Sequence, residues 1–120
     1  MKKSVKQAIF TKVFKHINKQ GPCTASYFEP RYQYKNKSCA IGCLIPKDQY
    51  KRGIEFNPVE EDKVWKVLVN LYPSLTNRDK SFMNKLQLAH DDHYTDQNEK
   101  PAWLKEMRKI AKNYHLLMPK

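Results

Sequence analysis

The chain contains no apolar run near the roughly 18 residues that a membrane-spanning helix requires, so the bilayer is not its solvent. A charged start, Met1 to Lys6, is followed by residues that Lys12 and Lys15 keep interrupting, and no secretory leader is expected. Cysteine is scarce and odd in number, with three in 120 residues. That count excludes a small disulfide scaffold and points to a reducing compartment, the cytoplasm, with thiols that are buried or functional. There is no repeat, no low-complexity tract and no linker, so one domain over residues 1–120 is expected. No Walker A loop, dinucleotide fingerprint or zinc-finger spacing occurs, which disfavours nucleotide hydrolysis. Acidic residues are missing altogether from residues 1–20, which carry six lysines.

What the chain has instead is positive charge, a formal net +11. Residues 31–52 hold six basic side chains against Asp48 alone. The acids gather at Glu55, Glu60, Glu61 and Asp62 and again at Asp91, Asp92, Asp96 and Glu99. Such segregation gives a positive surface that favours nucleic acid, nucleotides or an acidic protein. A lysine-coated helical protein with no anionic partner is the plainer reading of the same charge.

Hydrophobic periodicity predicts a mainly α fold, with a small α+β arrangement as the alternative. Ile9, Phe10, Val13, Phe14 and Ile17 share one face of a helix over 4–18, closed by Gly21-Pro22. Val64, Trp65, Val67, Leu68 and Leu71 predict a second helix over 59–71, with acids in its first turn. A third is expected over 77–94 and a fourth from Pro101, a favoured first helical residue. The predicted core is Trp65, Leu68, Phe82, Leu86, Trp103 and Met107. Between the first two helices lies an irregular or hairpin segment. Ser26-Tyr27-Phe28 and Tyr32-Gln33-Tyr34 have strand composition there, and residues 46–58 form a loop.

Within that segment, the basic aromatic run Arg31 to Lys37 switches abruptly into the apolar run Cys39 to Ile45. Everything before Ser38 reads as facing solvent or ligand, and everything after it as buried. Residues 39–45 suit a short strand or two helical turns, with Ser38 as a candidate N-cap. Gly42 inside the apolar run signals close approach of another backbone. Cys39, at the boundary, is the thiol expected to react; Cys43, inside, is expected to be inert.

Several groupings could carry chemistry. Tyr32 and Tyr34 can stack on bases while Arg31, Lys35 and Lys37 hold phosphates. Gln87, His90, Asp91 and Tyr94 fall on one helical flank by their i, i+3, i+4, i+7 spacing, as a polar ligand would need. Both groupings are equally compatible with packing alone. A thiol catalyst would use Cys39 as nucleophile with His90 and Asp91, although no cysteine-protease signature is present. Cys39 with Cys43 and His90 with His93 could chelate zinc from helical segments, but structural zinc favours tighter Cys-x-x-Cys spacing. No metal and no cofactor are expected.

The order Gln20-Gly21, Tyr32 and Tyr34, Cys39-Ala-Ile-Gly-Cys-Leu-Ile-Pro46, Tyr50 and Glu55, Leu86-Gln-Leu-Ala-His-Asp91 and Trp103 resembles a group of small phage and prophage proteins. The resemblance covers most of the chain. It departs at Tyr32, where the group often has a further cysteine, so a shared metal site is not expected. The resemblance implies a viral setting, and with it the cytoplasm of a host cell, but brings no known activity. It adds Glu55 to the candidate ligand-binding set of Arg31, Tyr32, Tyr34, Lys35, Lys37, Gln87, His90, Asp91 and Tyr94. The expectation is a binding protein without turnover that captures a nucleotide or nucleic acid in host takeover or counter-defence. A thiol hydrolase or transferase and an inhibitor docking on an acidic host protein are the alternatives.

Overall fold

The computed structural model describes residues 1–25, 29–94 and 96–119. Helix α1 runs Lys3–Gln20 and buries the expected stripe of Ile9, Phe10, Val13, Phe14 and Ile17. Gly21 closes it at φ 89°, its N–H donating to the Ile17 carbonyl at 2.8 Å. An L side chain would be strained in that conformation, which is the physical content of the Gly-Pro stop.

Two short antiparallel hairpins follow. Strand β1 (Thr24–Ala25) pairs with β2 (Glu29–Pro30), placing Thr24 opposite Pro30. The strand reading of Ser26 to Phe28 lies outside the described residues. Strand β3 (Gln33–Tyr34) pairs with β4 (Lys37–Ser38) through a turn at Lys35 and Asn36. Ser38 is therefore a strand residue and not an N-cap. Its N–H donates to Gln20 Oε1 at 3.0 Å, and its carbonyl accepts from Gln20 Nε2 at 2.7 Å. These bonds tie the hairpin to the end of α1.

Residues 39–45 form neither a strand nor two α-turns but a buried turn and a 3-10 turn at Gly42–Leu44. The chain then crosses 46–58 as a loop stiffened by 3-10 turns at Lys47–Gln49 and Arg52–Ile54. Helix α2 spans Asp62–Leu71 and starts later than its apolar pattern suggests. The Pro58 carbonyl accepts the Glu61 N–H at 3.0 Å, so 58–61 is a turn that buries Val59 before the helix begins.

A 3-10 turn at Asn77–Asp79 leads into α3 (Lys80–His93), and Gln97–Glu99 leads into α4 (Lys100–Asn113). Mainly α is thus the fold, with four helices and two small two-stranded sheets among the described residues. All six predicted core residues are buried. Aromatic rings join the helices: Phe10 stacks near Phe14, Phe14 on Trp103 at 5.3 Å, and Trp103 on Tyr94 at 5.4 Å between centroids. No helix among the described residues is long and apolar enough to cross a membrane.

Candidate ligand-binding site

The apolar run is the fulcrum of the site. Gly42 lies against the backbone of Tyr32, close enough that an added Cβ would stand 1.9 Å from the Tyr32 carbonyl oxygen. The same oxygen accepts the Cys39 N–H at 2.8 Å. This close approach matches the expectation for Gly42, and it locks Arg31 to Gln33 beside the buried turn.

Locking that segment buries Tyr32, so part of the run expected to face solvent or ligand is packed into the fold. Tyr32 is 5% exposed, and its hydroxyl donates to the Asn57 carbonyl at 2.5 Å. It lines a cleft all the same, but with little surface left to offer a ligand. Glu55, also buried, collects the strand's donors. Its Oε1 accepts Tyr32 N–H at 2.8 Å, and its Oε2 accepts Gln33 N–H at 3.1 Å and the Tyr50 hydroxyl. Burial, with the Glu55 hydrogen bond and charge second, pushes the Tyr50 hydroxyl well above the usual tyrosine range. Tyr50 therefore stays a donor to Glu55 throughout the neutral range.

Gln87 is a second hub. Its Oε1 accepts the Cys39 thiol at 3.1 Å and the Ile41 N–H at 2.9 Å, and its Nε2 donates to Asp91 Oδ1 at 2.7 Å. His90 is fully buried. Its Nε2 accepts the Cys23 N–H at 2.9 Å, which leaves Nδ1 to donate to Asp91 Oδ1 at 3.0 Å. Asp91 Oδ1 is thus held by two donors, while Oδ2 has no bond among the described residues.

This arrangement leaves the Cys39 thiol facing an amide oxygen, which cannot take its proton, and His90 Nε2 already occupied by a backbone donor. Cys39 is fully buried, and burial first, with Asp91 and Cys23 adding, raises its thiol well above the ordinary value. The order of the two thiols is the reverse of the expectation. Cys43 is the half-buried one, pushed up to about 12 by burial with the Lys12 charge pulling the other way. Tyr94 is likewise misplaced by the flank reading. Helix α3 ends at His93, and Tyr94 turns inward to stack on Trp103. No group of three or more histidine, cysteine or acidic side chains among the described residues could hold a metal ion.

Two of the surface concavities among the described residues are lined by the segment Arg31–Gln33. One is a cleft of about 260 Å³ between residues 31–32, 55–58 and α3. It brings together Arg31, Tyr32, Glu55, Gln87 and Asp91 from the sequence-derived set. Its other walls were not in that set: exposed Phe56, Pro58 and Leu88 and half-buried Asn57 and Asn84. Phe56 is 67% exposed at φ 65°, with the Arg31 guanidinium 4.5 Å from its ring centroid. The i, i+3, i+4, i+7 row that meets the cleft is Asn84, Gln87, Leu88 and Asp91, one step around α3 from the row containing His90. The apolar exposed Leu88 beside polar Asn84 was the available signal. Phe56 gave none, because its left-handed backbone is a tertiary outcome.

The other concavity is a groove of about 200 Å³ at the β3–β4 hairpin, lined by Lys35, Asn36, Lys37 and Lys47 together with Cys43 and the 42–46 backbone. On the hairpin's other side, Thr24, Tyr34 and the same two hairpin lysines line a hollow of about 220 Å³. Among the described residues neither is lined by a carboxylate. Lys12, whose charge acts on Cys43, extends the basic surface onto α1. Lys35 sits at φ 57°, where an L residue costs about 1–2 kcal/mol and glycine costs little. Comparison with protein-family models, curated proteins and solved structures gives no match for this chain.

Proposed function

We propose that the protein binds an anionic ligand on the β3–β4 hairpin face, and that the ligand is a single strand of nucleic acid. The observation that carries this reading is the convergence of Lys35, Lys37 and Lys47 on a groove that no carboxylate lines among the described residues. Phosphates are attracted to such a surface and repelled by the acids that cluster elsewhere. The groove lies at the surface of a hairpin, where a polymer can track along exposed lysines without the enclosure that a free nucleotide needs. Tyr34, half-buried with the Lys35 ammonium 5.5 Å from its ring centroid, offers a stacking surface beside the lysines. Lysine kept at a turn position that glycine fills at lower cost supports a role for its charge. The reading involves binding without turnover, because Cys39 faces an amide and His90 Nε2 is occupied. The resemblance to phage proteins supplies a viral setting in a host cytoplasm, where capture of nucleic acid serves takeover or counter-defence.

Anisotropy titration of short labelled DNA and RNA strands tests it. The Lys35→Ala/Lys37→Ala/Lys47→Ala variant is expected to bind at least about tenfold more weakly at low salt and to show a shallower salt slope, by about 0.7 per lost phosphate contact. Its melting temperature is expected to stay unchanged, since exposed lysines add little to stability. Equal affinity of variant and wild type would overturn the reading. Capture of an acidic host protein by the same lysines, with no strand bound, would replace it with the inhibitor alternative.

A further inference from the structure

The cleft lined by Arg31 and Tyr32 has a different chemistry from the groove. Its mouth carries an exposed aromatic ring with a guanidinium stacked on it, and an exposed leucine stands on α3. Phe56 holds its ring there from a left-handed backbone, a conformation that is rare for a bulky residue and costly to keep. Hydrophobicity offers no account of it, because the ring is 67% exposed. Between Phe56 and Leu88 the polar atoms on offer are few. The Glu55 oxygens are taken up by Tyr32, Gln33 and Tyr50. Asp91 Oδ1 is held by Gln87 and His90, and these two bonds fix the carboxylate while leaving Oδ2 as a free acceptor. The Asn84 side chain, two helical turns before Asp91 on the same flank, makes no hydrogen bond among the described residues and can both donate and accept.

A flat ring partner fits these elements. Unpaired bases are recognised by stacking on aromatic rings or arginine planes and by hydrogen bonds to their Watson–Crick edges. The cleft, at about 260 Å³, falls below the roughly 300–1,000 Å³ of drug-sized ligand sites, so it suits one ring system and not a chain of them. A phosphate is disfavoured there by Glu55 and Asp91. Tyr32 lines the cleft and its sequence neighbour Gln33 the lysine groove, so one stretch of backbone is a wall of both.

We infer that the Phe56–Arg31 cleft takes a single unpaired base from the bound strand, stacked on the Phe56–Arg31 pair and read at its edge by Asp91 and Asn84, with guanine preferred. Guanine presents two adjacent donors, N1–H and the N2 amine, to a carboxylate oxygen and an O6 acceptor to an amide donor. Adenine and cytosine offer Asp91 one amine, and uracil or thymine offers one ring N–H. The inference rests on the strand-binding reading for the source of the base, and its test separates the two.

Free nucleosides carry no phosphate and report on the cleft alone. Guanosine titrated into the protein is expected to shift the amide resonances of Phe56, Leu88 and Asp91, about tenfold more tightly than uridine. Phe56→Ala, at an exposed position that does not threaten the fold, is expected to weaken every nucleoside about tenfold. Asp91→Asn is expected to erase the guanosine preference while uridine changes little, and Asn84→Ala to do so in part should Asp91→Asn unfold. With labelled strands, the same variants are expected to abolish discrimination between guanine-containing and guanine-free sequences, while the lysine variant lowers affinity for both alike. Strands that bind with no base preference, or a preference untouched by Phe56→Ala and Asp91→Asn, would overturn the cleft assignment and leave the strand reading standing. Guanosine bound in the cleft with no strand bound would do the opposite. A protein that binds neither overturns both.

Discussion

At Gly42 a single missing methyl group decides whether two segments can meet. An added Cβ would stand 1.9 Å from the Tyr32 carbonyl oxygen, and that atom is backbone already fixed by the Cys39 N–H. Gly42→Ala must therefore push the strand away, at a cost of about 3 kcal/mol or more, readable as a fall in urea midpoint. Phe56 is the converse case. Relief of its left-handed backbone, worth about 1–2 kcal/mol, offsets the chain entropy that glycine adds. Phe56→Gly is expected to keep or raise the melting temperature while weakening nucleosides, a combination that a merely structural ring would not give. For the thiols, alkylation of native protein at neutral pH is expected to be slow at all three cysteines and fastest at half-buried Cys43. Peptide mapping that finds Cys39 modified first would contradict the buried hydrogen-bonded geometry described for it.

Elements add what residues cannot, namely direction. The 3-10 turn Asn77–Asp79 that leads into α3 is closed by a capping box, in which Thr76 N–H donates to Asp79 Oδ2 at 2.8 Å and the Thr76 hydroxyl to the same oxygen at 3.3 Å. Burial opposes ionisation of Asp79, but the Thr76 bonds and the Met1 amino group at 3.4 Å outweigh it and hold the carboxyl below its ordinary range. A carboxyl depressed in the folded state stabilises above its unfolded pKa, about 3.9, and the gain is lost as pH falls through the folded value. Asp79→Asn is expected to cost about 1 kcal/mol at neutral pH and progressively less below about pH 4. Denaturation curves at both ends of that range check it; a pH-independent difference would mean that the cap acts without its charge.

Across the whole molecule, burial of apolar side chains supplies the stability and a few satisfied polar hubs supply the register. Leu68→Ala, in the fully buried face of α2, is expected to cost about 2–5 kcal/mol. Glu55→Ala removes no apolar surface of note, yet it strands two backbone N–H groups and the Tyr50 hydroxyl. About 3 kcal/mol is the expected loss, with the strand Arg31–Gln33 freed from the loop, visible as faster hydrogen exchange at Tyr32 and Gln33. Unchanged exchange there would show that Gly42 packing holds the strand without the carboxylate. The +11 charge acts at this scale as well, since it biases encounter with anions without determining where they settle.

Apolar spacing by itself determined the four helices, because burial of a stripe every three to four residues is a local pattern with one stable answer. Gly21 and Gly42 were legible for the same reason: a missing Cβ has meaning wherever a helix must stop or two backbones must touch. The lysines of the hairpin were legible as charge. The reversal of Cys39 and Cys43, the inward turn of Tyr94 and the burial of Tyr32 were decided only by the tertiary structure. Each depends on which face of a short, unperiodic segment meets a partner some 20 to 70 residues away, as in the bonds of Gln20 to Ser38, Tyr32 to Glu55 and Cys23 to His90. Segments of two or three residues carry no period to read, so the placement of their side chains waits for the partner. Phe56 belongs with them: its place at the cleft follows from the left-handed backbone of a loop residue, which no local pattern announces.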